Sequence, residues 1–188
     1  MSTEALQRAF DSTRTILENV KPDQMDNDTP CESWKVKDVV NHIVSGSQWF
    51  GASMEAGVGQ AFDDLPDYSS MDYMEIFNDG VKKSVEAFGR DGAQQKIVKL
   101  PFGEFPGAAF MGLATTDTFV HGWDLAKATG QDTNLDPEFA QVVLEGAKAN
   151  IQPEFRGPDT KAPFGPECDA PPDASPADQL AAFLGRKV

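Results

Sequence analysis

The sequence predicts an all-α fold, a bundle of four main helices with a small β excursion and a proline-rich C-terminal tail. Three observations lead there. Apolar residues recur at the ~3.6-residue helical period. Each periodic segment is closed by Gly, Pro, Asn or Asp. The 188 residues, 40% of them hydrophobic, suffice to bury one sizeable core.

In chain order, Leu6, Phe10, Ile16, Leu17 and Val20 give a first helix from Ser2 to about Val20, broken by "KPDQMDNDTP". A second helix starts near Ser33 to Lys35 and runs to about Phe50 on Val36, Val39, Val40, Ile43 and Phe50, with His42 on the flank of that stripe. A loop rich in Gly, Asp and Pro is expected from Gly51 to Ser70. A third helix follows from Met71 to Phe88, with Met74, Phe77, Val81, Val85 and Phe88 as its core. "KIVKLPFGEFPG" reads as a small hairpin or an extended excursion, in which Lys96 to Leu100 is a short strand and Gly103 permits a turn back. The fourth helix spans Ala108 to Thr129, with Gly130 placed as its C′ residue. The fifth opens on Asp136 as N-cap and Pro137 at its first position, and runs to Ile151. Seven of the 13 prolines then fall between Pro153 and Pro176, so this stretch is extended. Ser175 and Pro176 start a last short helix, which Gly185 closes. The expected organisation is a metal-binding helical bundle over 1–152 and a tail over 153–188, whose terminal helix docks through Leu180, Phe183 and Leu184.

The 30 acidic residues against 16 basic ones leave a net charge of −14. Such a surface repels phosphate backbones and anionic lipid, which argues against nucleic-acid and membrane partners. No apolar run reaches the ~18 residues of a membrane span, and "MSTEALQRAF" lacks a signal-peptide layout, so a cytoplasmic protein is expected. Cys31 and Cys168 form no CxxC pair, and both are expected to be reduced. No nucleophile elbow, P-loop or dinucleotide fingerprint is present.

The chemistry concentrates in "TTDTFVHGWDLAKATG". On one apolar stripe formed by Phe110, Leu113, Ala114, Leu125 and Ala128 sit Asp117, His121 and Asp124, where core residues belong. Unpaired charge in a core is costly, so these groups must pair, hydrogen-bond or bind a metal. Asp117 and His121, four residues apart, suit two ligands of one ion or a simple intrahelical pair. His42 is the only other histidine. If its helix packs beside the fourth, His42, Asp117 and His121 converge as two imidazoles and one carboxylate with coordination positions open. Asp124, one turn past His121, would then orient a ligating imidazole or the neighbouring helix from behind. Cys31 is either a thiol activated by the start of the second helix or, preferably, a small apolar filler. Trp34, Trp49 and Trp123 read as core or pocket-wall residues, and "PFGEFPG" and "APFGPEC" as the rim of a mouth or as turns.

"TPCESWKVKDVVNHI", "LPFGEFPG", "TDTFVHGWDLAKATGQD" and "APFGPE...ASPADQLAAFLGR" together resemble the DinB-like superfamily. The nearest branch is the small metal-binding proteins related to the N-terminal domain of mycothiol-dependent maleylpyruvate isomerase. The resemblance covers nearly the whole chain. It implies a four-helix bundle holding a divalent metal on residues that match His42, Asp117 and His121. It also implies a metal-dependent transferase or isomerase-like enzyme that adds a low-molecular-weight thiol, mycothiol or similar, to a small electrophile. Zinc is the default ion, with nickel or another as alternatives. The isomerase has Glu where this chain has Asp117, and it carries a second domain where this chain has the proline-rich tail. Maleylpyruvate isomerisation itself is therefore not expected. Arg90 or Arg156 is a candidate to fold toward the ligands and hold an anionic substrate. Two other readings remain: a binding protein without turnover, and, from the donor set alone, a non-haem iron oxygenase, a class usually built on β-scaffolds. An exposed bundle face would allow a homodimer.

Overall fold

A computed structural model describes residues 2–61, 65–158, 162 and 164–188. Among them are six α-helices and one two-stranded sheet: α1 (Thr3–Leu17), α2 (Val36–Ala56), α3 (Tyr73–Phe88), β1 (Ile97–Leu100), β2 (Gly103–Pro106), α4 (Gly107–Thr129), α5 (Pro137–Asn150) and α6 (Pro176–Phe183). Part of the loop expected over 51–70, and Pro163 of the expected "APFGPEC" turn, lie outside the described residues. None of the described helices is long and apolar enough to cross a membrane. The chain divides into two compact units, Met1–Asp11 with Val40–Thr118 and Ser12–Val39 with Phe119–Val188.

In the first unit, Phe110 is met edge-on by Trp49, Phe50 and Phe88 at centroid distances of 5.5, 6.0 and 5.3 Å, and Phe10 meets Phe77 at 5.8 Å. Edge-to-face aromatic packing of this kind adds to the gain from burial. Small residues bring α2 and α3 together. A Cβ on Gly51 would lie 2.9 Å from the Ser84 backbone nitrogen, and one on Gly80 would lie 2.3 Å from Ser47 Oγ. Ser84 Oγ donates across this contact to the Ser47 carbonyl at 2.7 Å. Hence α2 does not end near Phe50, as its sequence suggests. Gly51 is a close-packing residue inside the helix, and the stop is Gly57, in the left-handed region at φ 76°. For the same reason Gly80 and Ser84 are buried, while Met74 and Val85, expected in the core, are only half-buried. β1 and β2 pair antiparallel, with Val98 opposite Phe105.

In the second unit, α1 tightens after Leu17 through bonds from Asn19 N to Ile16 O and Val20 N to Leu17 O, so it stops three residues short of Val20. α2 begins at Val36, just past the expected start, because the Asp38 carboxylate accepts from Lys35 N. Gly130, at φ 69°, caps α4, and Gln131 N bonds back to Ala126 O. Gln24 and Asn27 donate their amides to the Thr129 and Ala128 carbonyls of that end. Asp136 caps α5 by accepting from Phe139 N. Phe119 meets Phe139 edge-on at 5.5 Å, and α6 packs against α5 through the buried Leu180.

α4 itself departs from the one-stripe reading. Phe119, Val120 and Trp123 are as buried as Phe110 and Leu125, whereas Leu113 and Ala128 are only half-buried. The helix is enclosed on nearly all sides, and from Ala114 to Ala126 the one residue that is not buried is Asp117.

Candidate metal centre

His42 stands in the second turn of α2 and Asp117 in the middle of α4. His42 Nε2 lies 3.2 Å from Asp117 Oδ2 and 3.4 Å from Oδ1. Two ligands bound at ~2.1 Å with tetrahedral angles stand about 3.4 Å apart, so this spacing already suits a shared ion. His121 is four residues further along α4 and leaves the helix one turn beyond Asp117 on the same side.

The surroundings of His121 are built by the second unit. Its Nδ1 lies 2.9 Å from Asp124 Oδ2. Asp124 is fully buried, and burial alone would raise its carboxyl. The Arg186 guanidinium, together with His121, outweighs that and holds it well below the usual carboxylate range. Arg186 does so as a fork, Nε on Oδ1 at 3.2 Å and Nη2 on Oδ2 at 3.1 Å. An ionised Asp124 can only accept, so it favours a proton on Nδ1 of His121, the nitrogen that faces it.

The "PCESW" segment completes this cluster. Thr29 Oγ1 donates to the Trp34 carbonyl at 2.8 Å and Trp34 N to Cys31 O at 2.8 Å, which folds the loop tightly. Cys31 is thereby half-buried, its thiol donating to Asp124 Oδ2 at 3.2 Å, with Arg186 Nη2 at 3.4 Å from the sulfur. The preferred filler role for Cys31 is replaced by a polar one. The Trp34 ring lies 5.4 Å from that of His121. Trp49 and Trp123 are core residues whose ring N–H groups reach Gln60 O and Asp178 Oδ1.

Cys31, His121 and Asp124 offer ligand atoms within 4.8 Å of one another. A cation is nonetheless disfavoured there, because the guanidinium of Arg186 already neutralises the carboxylate and borders the sulfur. Both arginines suggested for substrate holding have other partners. Arg90 pairs with Glu55 at 2.5 Å, and Arg156 donates to the Gly165 and Phe183 carbonyls while stacking 4.4 Å over the Phe183 ring. The arginine at Asp124 is Arg186, 62 residues away in sequence. Its one local signal is the tripeptide Leu184-Gly185-Arg186, a charge directly behind an apolar helix end.

The helical fold and the paired histidine and carboxylate side chains define a helical protein with a polar, metal-compatible centre. The family model for the mycothiol maleylpyruvate isomerase N-terminal domain matches residues 6–126, and the chain belongs to that family, within the DinB-like superfamily. Two curated proteins of Mycobacterium tuberculosis, from strains CDC 1551 / Oshkosh and ATCC 25618 / H37Rv, are each 41% identical to it over 184 residues, 98% of this chain and 97% of theirs. Both are described only as uncharacterized proteins.

Proposed function

We propose that His42, Asp117 and His121 hold one divalent cation, zinc by default, within a DinB-like four-helix bundle made by the long helices. On this reading the protein is a metal-dependent thiol transferase or isomerase-like enzyme that joins mycothiol or a similar small thiol to an electrophile. The observation that carries it is the His42 and Asp117 pair, at a spacing suited to adjacent ligands, in a family whose description names mycothiol. A bound divalent ion would supply the positive charge that lets a thiol lose its proton at neutral pH.

The chain's own residues do the rest. His42 and Asp117 present their donor atoms toward each other, and Asp124 keeps the His121 proton on Nδ1 so that Nε2 can ligate. Asp117 is the half-exposed point of an otherwise buried stretch of α4, which leaves a way in for a small molecule.

Elemental analysis of untagged protein tests this reading. About one divalent ion per chain is expected, lost in folded His42→Ala, Asp117→Ala and His121→Ala variants. Protein that holds no metal after reconstitution would sink it. Metal-dependent consumption of a thiol with a model electrophile is the further expectation. A second reading is a non-catalytic small-ligand or metal-binding protein of the same fold. Tight ligand binding without turnover across a panel of electrophiles would select it.

A further inference from the structure

We infer that Arg186 is a positioning residue for His121, acting through Asp124, and that the C-terminal cap of α6 exists to deliver it. The metal half of this inference rests on the ligand set proposed above.

Delivery is a matter of backbone. α6 ends in a Schellman arrangement, with Gly185 N bonded to Ala182 O at 3.0 Å and Arg186 N to Ala181 O at 2.9 Å. This requires the left-handed conformation that Gly185 adopts at φ 93°. The glycine is needed for space as well, since a Cβ there would stand 2.6 Å from Gly165 Cα. The turn sends Arg186 back into the protein, where it is buried and anchored by Nη1 on the carbonyl of Leu184, two residues before it, at 3.0 Å.

Positioning follows from counting donors. Asp124 receives Nε and Nη2 of Arg186, the Cys31 thiol and Nδ1–H of His121, and the first two fix the carboxylate plane. Without the fork, the Asp124 carboxylate would be free to turn toward Cys31. Nδ1 of His121 would then face no fixed acceptor, and the imidazole would be free to exchange its proton between nitrogens. Lysine could supply the charge but not the two parallel bonds.

The test uses the full chain labelled with 15N, whose two histidines give separable ring signals. In the parent without added metal, His121 is expected to be protonated at Nδ1. In Arg186→Ala and Gly185→Ala, the His121 signals are expected to shift toward a mixture of the two ring forms while those of His42 stay put; a general loosening would move both. Zinc affinity should fall by ~10- to 100-fold in Arg186→Ala, and by less in Arg186→Lys. A folded Arg186→Ala with unchanged His121 signals and unchanged zinc affinity would overturn the inference. If that variant does not fold, Arg186→Lys decides, because parental ring signals and zinc affinity there would overturn it equally. A parent that binds no zinc would remove the ligand set itself, while the ring signals would still decide whether Arg186 positions His121.

Discussion

The two histidines of this chain have opposite surroundings. The His42 side chain is 17% exposed and faces an Asp117 side chain that is 36% exposed. The His121 side chain is 9% exposed and leans on an Asp124 that is wholly buried and forked by Arg186. The first, a part-exposed pair, contributes little stability by itself. The second is a satisfied network, and among the described residues no buried side-chain polar atom lacks a hydrogen bond. The His121 ring is thus fixed in orientation by a buried carboxylate, whereas the carboxylate facing His42 is half-exposed.

The sharpest way to break this contrast is Asp124→Ala. It leaves the Arg186 cation buried without its acceptor, for which a loss of roughly 3–5 kcal/mol is expected by urea denaturation. Acid should produce part of that loss reversibly. Because the folded carboxyl of Asp124 lies below the ordinary value of ~3.9, its contribution is complete above that value and disappears as pH falls through and beyond it. Melting followed from pH 6 down should steepen on this limb, and Asp124→Asn should flatten it. Gly80→Val attacks the first unit instead. Its Cβ would meet Ser47 Oγ at 2.3 Å and Gln48 N at 2.8 Å, and overpacking of this kind costs ~1–3 kcal/mol. The smallest effect belongs to Asp117→Asn, at a half-exposed pair, and should change stability by less than ~1 kcal/mol. A large loss of stability from Asp117→Asn, measured in the same titration, would erase the contrast between the two histidines.

Elements with local punctuation were legible in the sequence. Asp136-Pro137 opens α5, Ser175-Pro176 opens α6 and Gly130 closes α4, because caps act on backbone groups within a few residues. The hairpin was legible for the same reason. Gly51 was misread as a loop because a glycine that admits a neighbouring backbone looks, in sequence, like one that ends a helix. The apolar stripe of α4 was chosen too narrowly, since a helix buried on nearly all sides gives no single face to find. Asp124 as the partner of His121 followed from their spacing of three. Arg186 could not follow from any spacing, since its contact depends on where α6 docks and not on a repeat.

The course of α4 has a consequence for what substitutions and insertions the protein can tolerate. Spacings of four and then three residues place His121 and Asp124 at rotations of about 40° and −20° from Asp117, inside one sector of the helix. Exchanging a residue between them leaves that alignment alone. Adding or deleting a single one would swing everything beyond it by ~100° and part Asp117 from His121 without altering either. Between residues 117 and 124 the number of residues is therefore under as much constraint as their identity.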